Sequence, residues 1–124
     1  MDINTINIIT LAYLGDAIYE VYIREALIKK GLAKVEDLNK AATTYVSAKG
    51  QANILEQLLN NNTLTEEELD IVKRGRNYKR SSHPKHTSIV TYKHSTGFEA
   101  LIGYLYLSNK LDRLKEILNQ IEVN

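Results

Sequence analysis

The run Phe98-Glu99-Ala100-Leu101-Ile102-Gly103-Tyr104-Leu105-Tyr106-Leu107 is apolar almost all round. A helix of that kind has no face to offer water, so it belongs at the centre of a fold with other elements around it. Glu99 interrupts the pattern near its start and is the only acid between Asp70 and Asp112. A carboxylate in such surroundings must reach water, find a partner or bind a cation, because burying it bare is very costly. A Glu near a helix start also complements the helix dipole, for about 0.3–1 kcal/mol. The position alone therefore does not assign Glu99 a role.

A second stretch poses the same question. In Leu11-Ala12-Tyr13-Leu14-Gly15-Asp16-Ala17-Ile18-Tyr19-Glu20, the residues Leu11, Leu14 and Ile18, followed by Val21, fall at helical spacings. Asp16 sits in the middle of them. Ala12 and Glu20 lie one turn to either side of it on the same helix face. Two carboxylates at that spacing repel by a few tenths of a kcal/mol, and a divalent cation would turn the repulsion into attraction. Most carboxylates on helices are simply solvated. Here, however, two helices each carry an acid flanked by small residues, Gly15 and Ala17 around Asp16, Gly97 and Ala100 around Glu99. If those helices pack together, both acids point at one cation. Gly15 costs about 1 kcal/mol against Ala inside a helix, which predicts either a close helix–helix approach or a break in the helix there.

One proline in 124 residues, with few alternating β-branched runs, predicts an all-α protein. The length fits a single domain, residues 1–124. Helices are expected over about Ile6 to Lys30 with Gly31 as the stop, Val35 to Tyr45, and Ala48 to Leu59 behind a Ser47 cap. A fourth opens at Thr65, where Thr65-x-x-Glu68 is a capping box and Glu66, Glu67 and Glu68 suit the positive helix start. A fifth begins at Tyr92 or Lys93, and Asp112 to Ile121 is the last. Ala52, Leu55, Leu58 and Leu59 read as a core stripe, as do Leu114, Ile117, Leu118 and Ile121, with Leu111.

Charge is unevenly placed. Seven of the 16 Lys and Arg, and none of the 15 Asp and Glu, lie between Ile71 and Phe98. Within that stretch, Arg76-Asn77-Tyr78-Lys79-Arg80-Ser81-Ser82-His83-Pro84-Lys85-His86 is polar and unpatterned, and reads as an exposed loop. Such asymmetry implies a polyanion as partner. The absence of cysteine excludes disulfides and thiolate metal sites. No apolar run approaches the roughly 20 residues needed to span a bilayer. The start Met1-Asp2-Ile3-Asn4 lacks the basic region of a signal peptide, so a cytoplasmic protein is expected.

The two acidic stretches also carry a family resemblance. Leu11-Ala12-Tyr13-Leu14-Gly15-Asp16-Ala17 resembles the signature helix of the ribonuclease III family, and Thr96-Gly97-Phe98-Glu99-Ala100-Leu101-Ile102-Gly103 resembles its second acidic helix. Val46-Ser47-Ala48-Lys49, Lys73-Arg74-Gly75-Arg76-Asn77 and Tyr92-Lys93-His94-Ser95-Thr96 are similar to motifs of the Mini-III branch. The resemblance runs from about Leu11 to Leu107. It implies a ribonuclease III-type helical bundle of about six to seven helices, without an appended double-stranded-RNA-binding domain.

The resemblance further implies a Mg²⁺-dependent endoribonuclease that cuts double-stranded RNA to leave 5′-phosphate and 3′-hydroxyl ends. Asp16 and Glu99 match two of the four metal-site acids of the family. Ala12 and Thr96 stand where the other two are expected, and Glu20 is a candidate to compensate. The RNA-binding residues expected are Arg74, Arg76, Asn77, Lys79, Arg80 and Lys85, with Lys49, while Tyr78 or His83 adds minor-groove contacts. The family implies a homodimer, to which Tyr19, Tyr22 and Ile23 contribute unless core packing takes them. For the Mini-III branch the implied substrate is the precursor of 23S ribosomal RNA, trimmed at both ends, with a large-subunit ribosomal protein as a helper. Two rival classes remain: a non-catalytic RNA-binding or ribosome-assembly module on the same fold, suggested by the missing acids, and a helical DNA-binding module.

Overall fold

Six α-helices and no strand make up the described part of the chain: α1 (Ile8–Lys29), α2 (Val35–Val46), α3 (Ala48–Asn60), α4 (Glu66–Arg76), α5 (Ile89–Leu107) and α6 (Leu111–Leu118). A 3-10 turn at Ile3–Thr5 precedes them. The structure is a computed structural model and describes residues 2–79 and 83–123. Arg80, one of the expected RNA-binding residues, lies outside the described residues.

Local chemistry explains the boundaries. Asn7 Oδ1 accepts the Ile9 N–H at 2.9 Å and opens α1. Gly31, at φ 103°, takes the left-handed backbone that ends it. Thr65 and Glu68 form the expected capping box, with Thr65 N–H donating to Glu68 Oε1 at 2.9 Å and Glu68 N–H to Thr65 Oγ1 at 3.2 Å. Helix α5 begins at Ile89, earlier than the expected Tyr92, because Ser88 Oγ accepts the Thr91 N–H at 3.1 Å and starts the helix one turn sooner. Helix α6 ends at Leu118, short of the expected Ile121, yet Ile121 is still buried.

Helix α5 is the centre, as its composition requires. Helices α1, α3, α4 and α6 all pack on it, and α2 lies against α1 and α3. Phe98, Leu101, Ile102 and Leu105 of α5 are fully buried. Each such side chain stabilises the fold by about 1.5–3 kcal/mol relative to exposure. The Tyr19 ring meets Phe98 edge to face, centroids 5.0 Å apart. The Tyr19 hydroxyl donates to the Tyr45 carbonyl at 3.0 Å, tying α1 to α2.

Helix α1 runs without a break through Gly15, and its buried stripe is not the Leu11, Leu14, Ile18 and Val21 series that marks it as helical. Its core face is Ile8, Leu11, Ala12, Gly15, Tyr19, Ile23 and Leu27. Val21 is 63% exposed and Leu14 and Ile18 are only partly buried. The reason is the crossing with α5. A Cβ on Gly15 would lie 1.8 Å from the Glu99 carbonyl oxygen, and one on Gly103 would lie 1.9 Å from the Leu11 carbonyl oxygen. The two backbones touch at reciprocal glycines, so the face carrying Gly15 must turn inward, and the apolar residues off that face are left outside. Tyr19 and Ile23 are fully buried core residues, and Tyr22 is half-buried with its hydroxyl 3.5 Å from Asn119 Oδ1. Core packing, rather than an outer interface, takes Tyr19 and Ile23.

Helix α6 is fastened by ions as well as by Leu114, Ile117 and Leu118. Arg113 donates from Nε to Glu68 Oε2 and from Nη2 to Glu68 Oε1, both at 2.8 Å, and from Nη2 to the Thr63 carbonyl at 2.6 Å. No helix among the described residues is long and apolar enough to cross a membrane.

Candidate active site

The glycine crossing positions the two acids. Glu99 lies on α5 where its own carbonyl meets Gly15, and Asp16 is the next residue along α1. Residues far apart in the chain thus become neighbours through backbone contact. Asp16 is exposed and Glu99 is partly buried, so each acid reaches the surface from its own helix.

Helix α3 supplies a third member that the sequence pattern did not single out. Gln51 is 2% exposed. Its Nε2 donates to the Val46 carbonyl at 3.2 Å and to Glu99 Oε2 at 3.3 Å. Its Oε1 is buried with no hydrogen-bond partner among the described residues. A signal for Gln51 was present: it heads the stripe of Leu55 and Leu58 at helical spacing, a polar residue at a core position.

The other acid positions are settled differently. Ala12 and Thr96, where two further acids would stand, are both buried, and the Thr96 hydroxyl donates to the Tyr92 carbonyl at 3.0 Å. Glu20 does not join Asp16 and Glu99. Its Oε2 pairs with Arg24 Nη2 at 2.7 Å, one turn further on. Among the described residues no group of three or more His, Asp or Glu is placed to hold a metal ion. Asp16, exposed, and Glu99, partly buried, are then the two candidate donors on the crossing helices. That suits Mg²⁺, which is commonly held by one or two carboxylates and keeps several of its waters.

The basic segment starts beside this pair. A Cβ on Gly75, near the end of α4, would lie 2.9 Å from the Gly97 Cα, and one on Gly97 would lie 2.8 Å from the Val72 carbonyl oxygen. This second close approach holds the end of α4 against α5 two residues from Glu99. Beyond it, Tyr78, Lys79 and His83 form a pocket of about 230 Å³ with Tyr92, Lys93 and Thr96. Arg74, Asn77, Lys79 and Lys85 are exposed and Arg76 is partly buried. Lys49, exposed at the start of α3, borders another pocket with His86, Ser88 and Thr91. The helix that brings Gln51 to Glu99 therefore also brings a cation to the far end of the basic segment.

Comparison with known proteins identifies the family. Residues 9–110 match the family model of the ribonuclease III domain. The chain belongs to the ribonuclease III family. The Mini-ribonuclease 3 of Brevibacillus brevis is 56% identical over 119 residues, which cover 96% of this chain and 87% of the relative. That of Streptococcus pneumoniae is 47% identical, covering 96% and 93%. A crystal structure of a Fusobacterium nucleatum protein superposes with a TM-score of 0.83 at 37% identity, over 95% of this chain and 93% of the other. These relatives place the chain on the Mini-ribonuclease 3 branch, and as a member of it the protein is an endoribonuclease. The matched span takes in α1 to α5, and so both acidic helices, Gln51 and the basic segment.

Proposed function

We propose that the protein is a Mg²⁺-dependent endonuclease for double-stranded RNA, with Asp16 and Glu99 as the residues that hold the ion. The observation that carries this reading is the contact of Gly15 with the Glu99 backbone, which makes neighbours of the only two family acids the chain retains. The ion, when bound, supplies activation of water and neutralisation of phosphate charge. The protein's part is to bind and orient. Asp16 and Glu99 offer oxygen ligands from two rigid helices. Arg74, Arg76, Asn77, Lys79, Arg80, Lys85 and Lys49 hold phosphates on either side, and Tyr78 or His83 reaches the minor groove. Duplex RNA is recognised largely through its shape, phosphates and 2′-hydroxyls, which such a surface suits. Cleavage leaves a 5′-phosphate and a 3′-hydroxyl.

The working unit in this reading is a homodimer. Supporting it, α1 carries Tyr13, Val21 and Ile28 on its outer side, 83%, 63% and 58% exposed. Large apolar side chains grouped on one outer helix face mark a surface that a partner covers. The substrate in the cell is the precursor of 23S ribosomal RNA, matured at its 5′ and 3′ ends in the cytoplasm, with a large-subunit ribosomal protein presenting it. The test is incubation with a precursor stem, with and without Mg²⁺, followed by mapping of the ends. Mg²⁺-dependent cuts on both strands with 5′-phosphate ends are expected. Binding without cleavage at any Mg²⁺ concentration would instead make the protein an RNA-binding module.

A further inference from the structure

We infer that Gln51 is a positioning residue for the proposed reaction, holding the Glu99 carboxylate in the orientation that a divalent cation needs. The inference rests on the reading of Glu99 as an ion ligand and extends it to the residue at the head of a core helix stripe.

The physical case begins with what Gln51 costs. An amide 2% exposed must satisfy its donors and acceptor inside the protein, and an acceptor left unmade is destabilising. Gln51 Oε1 is such an acceptor. An apolar side chain of similar length at the head of the Leu55–Leu58 stripe would avoid that cost. The amide is retained at a position where packing alone favours a hydrocarbon, and a buried polar atom without a partner points to a task outside packing.

Its donors show what the task is. Nε2 spans the Val46 carbonyl, at 3.2 Å, and Glu99 Oε2, at 3.3 Å. The first contact anchors the amide to the end of α2. The second transmits that anchor to the carboxylate. This orientation of the amide is the only one that fits, because the reverse would set Oε1 against a carboxylate oxygen. Glu99 has a flexible side chain on a partly exposed rim. A hydrogen bond from a buried, anchored donor limits its rotation and leaves the ligand oxygens pre-set. With no third acid gathered at the site among the described residues, ion affinity depends more heavily on how well the two present are oriented. Outer partners of ligating groups typically contribute about 10- to 100-fold in metal affinity or activity.

The experiment replaces Gln51 with Met, which fills similar space without an amide, and Leu58 with Val as a packing control on the same helix. Mn²⁺ binding to the full chain is followed by calorimetry without RNA, and kcat and KM on duplex RNA are followed across a Mg²⁺ series. For Gln51→Met we expect Mn²⁺ affinity to fall about 10- to 100-fold, kcat to fall similarly at limiting Mg²⁺ and recover as Mg²⁺ is raised, KM for RNA to stay unchanged, and thermal stability to hold or rise. Leu58→Val should lower stability and leave Mn²⁺ affinity alone. Unchanged Mn²⁺ affinity or an unchanged Mg²⁺ series in Gln51→Met, with a wild type that binds the ion and cuts, would overturn the role of Gln51 and leave the proposed function standing. A wild type that neither binds Mn²⁺ nor cuts would overturn both. Should Gln51→Met fail to fold, Gln51→Asn, whose amide stops one methylene short of Glu99, is measured in the same way with the same expected losses.

Discussion

At the scale of single residues, two glycines decide where the chemistry can be. Gly15 and Gly103 each sit where a Cβ would run into a backbone carbonyl of the facing helix, at 1.8 and 1.9 Å. Backbone cannot step aside as a side chain can. Gly15→Ala should therefore cost more than the roughly 1–3 kcal/mol usual for overpacking, although Ala is the better helix former by about 1 kcal/mol. Urea unfolding checks this: the midpoint should fall, and the cleavage rate of the protein still folded should fall too, because Asp16 is pushed away from Glu99. A midpoint that rises, as propensity alone would have it, would mean that the crossing is looser than described. The role of Gly15 was half legible in the sequence, where a glycine inside a helical pattern indicates either approach or break. Choosing between them needs the partner helix, and no local pattern carries that.

At the scale of elements, α4 and α6 are held by one partly shielded ion pair. Burial pushes the Glu68 carboxyl up, but hydrogen bonds from Arg113 and from Thr65 and the nearby guanidinium charge outweigh it and hold the group below its ordinary value. The folded state therefore binds this proton more weakly than the unfolded chain does. The stabilisation is fully present above the unfolded value of about 4.3 and is lost as pH falls through the lower folded value. Glu68→Gln should cost about 2–3 kcal/mol at neutral pH, near the lower end for a broken buried pair because Arg113 is partly exposed. The difference from wild type should shrink steadily in acid. Urea titrations at a series of pH values measure it, and a pH-independent difference would show that Glu68 acts through packing alone. The capping half of Glu68 was readable from Thr65-x-x-Glu68. The pairing half was not, since Arg113 lies 45 residues further on and looks like any surface arginine. The early start of α5 has the same character in reverse: Ser88 was a readable cap, but the polar stretch before it disguised it as loop.

At the scale of the whole molecule, the α1–α5 crossing that carries both acids adjoins a cationic border at the end of α4. Charge counting alone located that border, because seven cations without an acid stand out in any order. It did not show that Gly75 and Gly97 bring the border to within two residues of Glu99, or that Lys49 joins it from α3. If the border binds RNA phosphates, replacing Arg76, Lys79 and Arg80 together with Gln should weaken duplex binding and flatten its dependence on salt by about 0.9 in log–log slope for each phosphate no longer neutralised. Filter binding at several salt concentrations tests this, and an unchanged slope would move the RNA to another face. The most direct test of a single two-acid centre is the cleavage rate of duplex RNA by Asp16→Asn, Glu99→Gln and the double variant, each also assayed for RNA binding. Groups that act as a unit are non-additive: each single change should lose more than the about 100-fold that outer partners cost, the double should be hardly worse than either, and all three should still bind RNA. A single variant that cuts at the wild-type rate, or losses that multiply in the double, would mean that Asp16 and Glu99 do not serve one ion.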